Sequence, residues 1–483
     1  MVNSVDSADV TTTQPAPPSG DATTASGSAL TTVAILCFGG LVAALTQTMV
    51  IPIQGELGRL LDTSEANASW VVTSTLVAGA VAMPIAGRLG DLFGKQRVLA
   101  ISALVLLLGS LVCALSDSLV PMLAGRLLQG LAMGFIPVGI ALMREVTPPA
   151  LTATAMAAMS ATLGVGGAIG LPLSAWIVQD FSWHTLFWVS TGLAAVMALA
   201  VVALVPHVRD AVPGRFDVIG ALGLAVGLVG LLVAVSKGNA WGWTSGRTLG
   251  LLAAAVVVLL VWGRYELRVT DPLCDLRVTA SRPVLLTNAA AVAIGFGMMA
   301  QAIVVPRLLQ SPAETGYGLG QTLLQTGLWM APGGLVMMAF SPISGRMIRA
   351  LGARTTLIVG ASVLGSGYLF AFFLTTAPWQ LLVANCITSA GVGIGYAAMP
   401  TLILESVPLT EAGSAVGVNG LMRSIGTSVS SAAMAAILTA STIGLGGQEL
   451  PSETAFHLCF IVGAAAAFLG AVLAAMVPSR RRA

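Results

Sequence analysis

Fourteen apolar stretches, each long enough to cross a lipid bilayer, follow one another from about residue 30 to residue 477. Roughly 20 apolar residues span the hydrocarbon core as a helix, and there every backbone amide must be satisfied within the protein. Runs of this length therefore read as helices. The first six lie near residues 30–52, 69–86, 98–116, 119–143, 153–177 and 184–205. Two follow near 218–236 and 248–263, the latter being the shortest. Six more lie near 284–305, 322–344, 355–375, 379–404, 413–440 and 456–477. The expected fold class is an all-α polytopic membrane protein with the lipid bilayer as its solvent.

Cation placement orients the chain. An even number of crossings puts both termini on one side, and cytoplasmic loops collect Lys and Arg. If the polar stretch at 87–97 is cytoplasmic, 16 of the 22 cations fall in loops or tails of that side. Four fall outside (Arg59, Lys237, Arg247, Arg307), and Arg126 and Arg423 lie inside apolar segments. Both termini are thus expected in the cytoplasm. Residues 1–28, rich in Ser, Thr, Ala and Pro and without Lys or Arg, read as a disordered tail,. They lack the positive start of a signal peptide. Residues 479–483 form a basic tail.

Composition excludes several functions. Charged residues make up only 9% of the chain, too few to solvate a globule of this length, and the net charge of +2 carries no signal for nucleic acid; no nucleic-acid partner is expected. The five cysteines show no metal-ligand spacing, and no metal, cofactor or disulfide framework is expected. A pump would need a nucleotide site, but Gly94-Lys95-Gln96 lacks the Ser or Thr of a phosphate loop,. An enzyme within the membrane would need converging acids, histidines or cysteines, which the apolar segments do not offer. Twenty arginines against two lysines, with abundant Ala, Gly and Val, suit a GC-rich bacterial genome.

The polar stretch Gly87-Arg88-Leu89-Gly90-Asp91-Leu92-Phe93-Gly94-Lys95-Gln96-Arg97 sits between two apolar segments and reads as a very short loop. A degenerate copy without the acid, Gly345-Arg346-Met347-Ile348-Arg349-Ala350-Leu351-Gly352-Ala353-Arg354, follows about 258 residues later. Nearly the same offset carries Arg126 to Asn385 and Gly167 to Gly426. Six helices with short loops need about 190 residues at a helical rise of 1.5 Å per residue. The excess fits one inserted helical pair. The expected domains are a six-helix bundle at 29–206, a linker with two extra helices at 207–282, and a second bundle at 283–478. Such a parallel repeat places a substrate cavity between its halves near the membrane midplane.

Three apolar segments carry unusual residues. An arginine within a spanning helix costs about 2.5–3.5 kcal/mol on insertion scales, so Arg126, with Gln129 and Gly130 after it, faces either protein or water,. Arg423 poses the same choice. Gly166, Gly170 and Pro172 in the fifth segment suit close helix packing and a bend. Thr46, Gln47, Asn385, Tyr396 and Asn419 are candidates to line the cavity, or to join helices by hydrogen bonds. None of the 20 acids lies in the middle of an apolar segment. His184 and His457 begin helices at the outer face and His207 lies in a cytoplasmic loop.

These features resemble the major facilitator superfamily, in its fourteen-helix drug:proton antiporter branch. The 87–97 stretch is similar to its loop signature G-x-L-x-D-x-x-G-[RK]-[RK], and Arg126 to Gly130 to its fourth-helix signature R-x-x-x-G. The fifth segment resembles the antiporter signature G-x(3)-G-P-x(2)-G-G, with Leu171 in place of its proline and Ser174-Ala175 in place of its final glycines. Where that branch carries L-D-x-T in the first segment, this chain has Leu45-Thr46-Gln47-Thr48. The resemblance implies a monomeric carrier in the cell membrane, exporting amphiphilic molecules in exchange for protons by alternating access. The residues themselves leave an uncoupled exporter of one metabolite or lipid open. The resemblance also implies that Gly87, Asp91, Gly94, Lys95, Arg97 and Glu145 form a gating cluster, with Arg126, Gln129 and Arg423 as coupling candidates. The buried arginines further favour neutral or anionic substrates over quaternary cations.

Overall fold

The computed structural model describes residues 21–51, 53, 56–207, 214–445 and 448–478. Among them are fourteen helices long and apolar enough to cross a membrane. In the first half these are α1 (Asp21–Thr48), α2 (Trp70–Phe93), α3 (Lys95–Ala114), α4 (Leu119–Val146), α5 (Pro149–Asp180) and α6 (His184–Leu204). The inserted pair is α7 (Val218–Trp241) and α8 (Gly246–Glu266). The second half holds α9 (Arg282–Gln310), α10 (Leu323–Leu351), α11 (Ala353–Phe373), α12 (Pro378–Ser406), α13 (Ala412–Ala440) and α14 (Glu453–Ala475). A small antiparallel hairpin, β1 (Thr442–Leu445) with β2 (Gln448–Pro451), joins the last two, pairing Thr442 with Pro451.

Two sequence expectations about boundaries are corrected. The first helix begins at Asp21, so part of the stretch read as a disordered tail is helical. Residues 1–20 and the basic tail 479–483 lie outside the described residues. The 87–97 stretch is not a loop either. Helix α2 runs on through Asp91 to Phe93 and α3 begins at Lys95, leaving Gly94 alone between them. Its φ of 96° lies in a region that residues with a side chain rarely adopt, which explains the glycine,. Gly352, 258 positions on, breaks α10 from α11 in the same way with φ 86°.

The repeat extends to individual hydrogen bonds. On α4, Arg126 Nε donates to the carbonyl of Val71 on α2 at 3.1 Å. On α12, Asn385 Nδ2 donates to the carbonyl of Met330 on α10 at 2.9 Å. Both the donors and the carbonyls are separated by the same 259 positions. Each half therefore ties its fourth helix to its second through an equivalent bond.

One apolar core centres on Leu36, Phe135 and Met143 of the first half and takes in Ile403, Leu404 and Val416 of the second, while another centres on Tyr368, Phe456 and Phe460 of the second half. The halves meet chiefly along two helix crossings, α2 with α13 and α5 with α10. Helix α7 packs against both α2 and α13, so it bridges the halves. Helix α8 rests chiefly on α7. Only 11% of its apolar window is buried, against 50% for α7, and it presents Leu249, Val256, Val257, Leu260 and Val261 outward.

Candidate functional site

At the membrane border that carries Gly94, the halves are held by a polar contact. Asp91, only 2% exposed in the last turn of α2, faces the start of α13. Its Oδ1 accepts from the Gly413 amide at 3.0 Å and its Oδ2 from the Ser414 amide at 2.9 Å. Those amides begin a helix and have no partner within it, so a carboxylate there gains both hydrogen bonds and the helix dipole. The backbones approach closely, since a Cβ on Gly87 would run into the Gly413 carbonyl. Lys95 Nζ lies 3.3 Å from Asp91 Oδ1 and 2.6 Å from Glu145 Oε1. The structure thus brings Asp91, Lys95 and Glu145 together, with Gly87 and Gly94 shaping the approach. Arg97 is exposed on the first turn of α3 and takes no part in these bonds.

The second crossing carries the degenerate copy. Arg349, at the position matching Asp91, donates from Nη1 to Thr154 Oγ1 near the start of α5 at 2.7 Å. The fifth helix then follows α10 along its length, with Ala168 against Gly334 and Pro172 against Gly327. Its other flank uses Gly166 and Gly170 to meet Ala44 and Thr48 of α1. Pro172 lies within an unbroken α5.

Arg126 is 1% exposed and enclosed by oxygen acceptors. Besides Val71, its Nη1 reaches the Thr46 carbonyl at 3.3 Å and Gln129 Oε1 at 2.7 Å. Gln129 in turn donates to Ser110 Oγ at 3.0 Å. The guanidinium so ties α1, α2 and α4 together, and the alternative of an arginine facing a water-filled cavity gives way to one facing protein. Thr46 turns its hydroxyl back onto the Val42 carbonyl, and Gln47 is half-buried beside it. Arg423 stands 4.5 Å over the Tyr396 ring and 3.4 Å from Asn419 Oδ1, while Asn419 Nδ2 donates to Asn288 Oδ1 at 3.0 Å. Asn385 accepts from Gln301 Nε2 at 2.5 Å. Tyr396, Asn419 and Arg423 therefore form one cluster, and Asn385 belongs to another. Among the described residues no carboxylate pairs with either buried arginine.

Sequence reasoning missed the turn at 267–275. Leu273 and Cys274 are 1% and 2% exposed, and the Leu273 carbonyl accepts from Ser414 Oγ at 3.0 Å. The inserted pair thereby reaches the same α13 start that Asp91 caps. A buried Leu-Cys step between charged neighbours was the available signal. His184 stacks on Trp183 with ring centroids 3.7 Å apart and places Nε2 3.2 Å from Asp117 Oδ1 at the opposite face.

The sequence pattern of the Major Facilitator Superfamily matches residues 36–431 and again 285–483. Among curated relatives, an uncharacterised MFS-type transporter of Mycobacterium tuberculosis is 29% identical over 416 residues, 83% of this chain and 58% of the relative. The chain thus spans less than two thirds of that relative's length. The multidrug resistance protein Stp of the same organism is 28% identical over 402 residues, 82% of this chain and 73% of its own. Among solved structures, the human organic anion transporter MFSD10 superposes with a TM-score of 0.66 at 15% identity, over 92% of this chain and 99% of that one. That likeness concerns the fold alone.

Proposed function

The chain belongs to the Major Facilitator Superfamily, a family of transporters and not of enzymes, and from that premise we propose that it exports amphiphilic small molecules by alternating access, driven by protons. The observation that carries the reading is the Asp91 contact. It adds a few polar bonds, at one membrane face, to the packing of α2 against α13 that joins the halves. Such a contact can be broken without unfolding either half, as alternating access requires. The relative named a multidrug resistance protein supports amphiphilic cargo. The cation bias supports a cytoplasmic position for the Gly94 face and for both termini,.

Neutral or anionic cargo fits the site better than quaternary cations. Arg126 is screened by its carbonyl acceptors, so the preference rests mainly on Arg423. At an effective dielectric near 20, a unit charge about 6 Å away feels about 2–3 kcal/mol. Among the described residues every acid of the spanning helices lies near a helix end. That observation favours a second reading, an exporter of one metabolite or lipid that is uncoupled or coupled otherwise.

Proteoliposomes separate the two. Substrate-dependent proton movement across the bilayer is expected, and transport unaffected by an imposed pH gradient would establish the second reading. Export of ethidium-like cations that persists in Arg423→Ala would overturn the charge preference.

A further inference from the structure

Where α7 begins and α8 ends, two carboxylates lie side by side, each with one oxygen buried and unsatisfied. Asp217 caps α7, its Oδ1 accepting from the Gly220 amide at 2.8 Å and from the Tyr265 hydroxyl at 3.1 Å. Glu266, the last residue of α8, is 2% exposed, and its Oε2 accepts from the Leu273 amide at 3.1 Å. Asp217 Oδ2 and Glu266 Oε1 are buried without a hydrogen-bond partner. Both oxygens border one small space, since a Cβ on Gly220 would strike each of them.

Among the described residues no cation stands directly against the pair to offset two negative charges. The tyrosine and the Trp262 indole are neutral, and the indole donates to the Gly220 carbonyl at 2.8 Å. The facing turn contributes the Leu273 amide and the Cys274 thiol, which burial pushes up to about 12 and so keeps neutral. Farther out stand Arg88 of α2, Asp91 and Glu411 at the α13 start, and Asp271 and Asp275 on the turn. Among the described residues no Lys or Arg forms an ion pair with Asp217 or Glu266.

We propose that Asp217 and Glu266 bind a single proton between Oδ2 and Oε1, and that this proton keeps the Gly94 face closed. Two carboxylates sharing one buried space cannot both ionise freely, whereas a shared proton turns both orphaned oxygens into one charge-assisted hydrogen bond. The proton belongs to the pair and not to either residue. A hard metal cation takes six or more oxygen ligands, and among the described residues only these two unsatisfied side-chain oxygens converge here.

The link to the closed face is continuous. Glu266 holds the Leu273 amide, the Leu273 carbonyl holds the Ser414 hydroxyl, and the Ser414 amide is held by Asp91. Losing the proton sets two anions against each other, displaces Glu266 and withdraws the turn from α13. The closed form is thus favoured below the apparent pKa of the pair and weakened above it. The proposal stands whatever the carrier exports.

Spin labels at Arg97→Cys and Thr410→Cys, two exposed positions on either side of the closure, test it in the full-length chain with its native cysteines replaced except the buried Cys274. Without substrate, the distance between labels should lengthen as pH rises, along a one-proton titration. Glu266→Gln and Asp217→Asn should both abolish the change and stay at the short distance, since each neutral amide mimics the protonated pair. Asp217→Asn also keeps an acceptor for the Gly220 amide, so it reads the pair with the helix cap intact. A parent distance that does not move with pH, or variants that titrate like the parent, would overturn the proposal. Replacing sodium by choline should leave the midpoint in place; a midpoint that follows sodium would assign the site to a metal cation and equally overturn it. Because no substrate is present, a failed titration leaves proton-driven export untouched, and a failed export assay leaves the titration untouched.

Discussion

Arg126 and Asn385 do in each half what a family signature or a hydropathy plot does not show: they donate to a backbone carbonyl of a neighbouring helix. Arg126→Ala strips three acceptors of their donor and opens a hole, an expected loss of about 2–5 kcal/mol. Asn385→Ala, which frees Gln301 and the Met330 carbonyl, should cost about 1–3 kcal/mol. Unfolding of the purified variants in detergent measures both. An Arg126→Ala protein as stable as its parent but inactive in transport would put the arginine on the coupling path instead. Asp91 makes a different prediction, because an amide has one acceptor oxygen for two facing N–H groups. Asp91→Asn should weaken closure by about 1–3 kcal/mol, shifting the open-to-closed ratio about 5–150-fold. The labels at Arg97 and Thr410 would show a grown open population with little change in stability. The carbonyl partners of Arg126 escaped sequence reading for a physical reason, since every residue carries a carbonyl and only the fold selects which one faces the guanidinium.

Among helices, the crossing of α2 with α13 is set by missing side chains. A Cβ on Gly413 would lie 2.5 Å from the Gly87 carbonyl oxygen, so Gly413→Ala should wedge the crossing apart at about 1–3 kcal/mol. Reactivity of a cysteine at Ser414 toward a cytoplasmic reagent should rise with it. Gly167→Ala is the control, because nothing lies within 4 Å of a Cβ there. The helices themselves were legible in hydropathy, and the inserted pair in the repeat spacing. The supposed loop at 87–97 was not, because Arg88 and Asp91 are charges on a helix end that finds protein in place of water. Asp217 and Glu266 lie 49 positions apart in the sequence. Their sharing one space depends on α7 packing against α8, which no local pattern encodes.

For the whole molecule, orientation can be checked directly. Gln96 is 6% exposed and a poor reporter, whereas Arg97 is exposed. In an otherwise cysteine-free chain, Arg97→Cys should resist an impermeant thiol reagent in intact cells and react after permeabilisation. Thr442→Cys, in the hairpin at the opposite face, should react in both; the reverse pattern would invert the topology. Helix α8 has α7 as its chief neighbour. A helix that leans on a single neighbour and is otherwise surrounded by acyl chains adjusts its tilt to the thickness of the hydrocarbon layer. The far end of this one grips, through Leu273, the helix that seals the carrier. Lengthening or shortening the lipid tails of a reconstituted bilayer should therefore change how readily the carrier opens, with no change to any residue of the transport route.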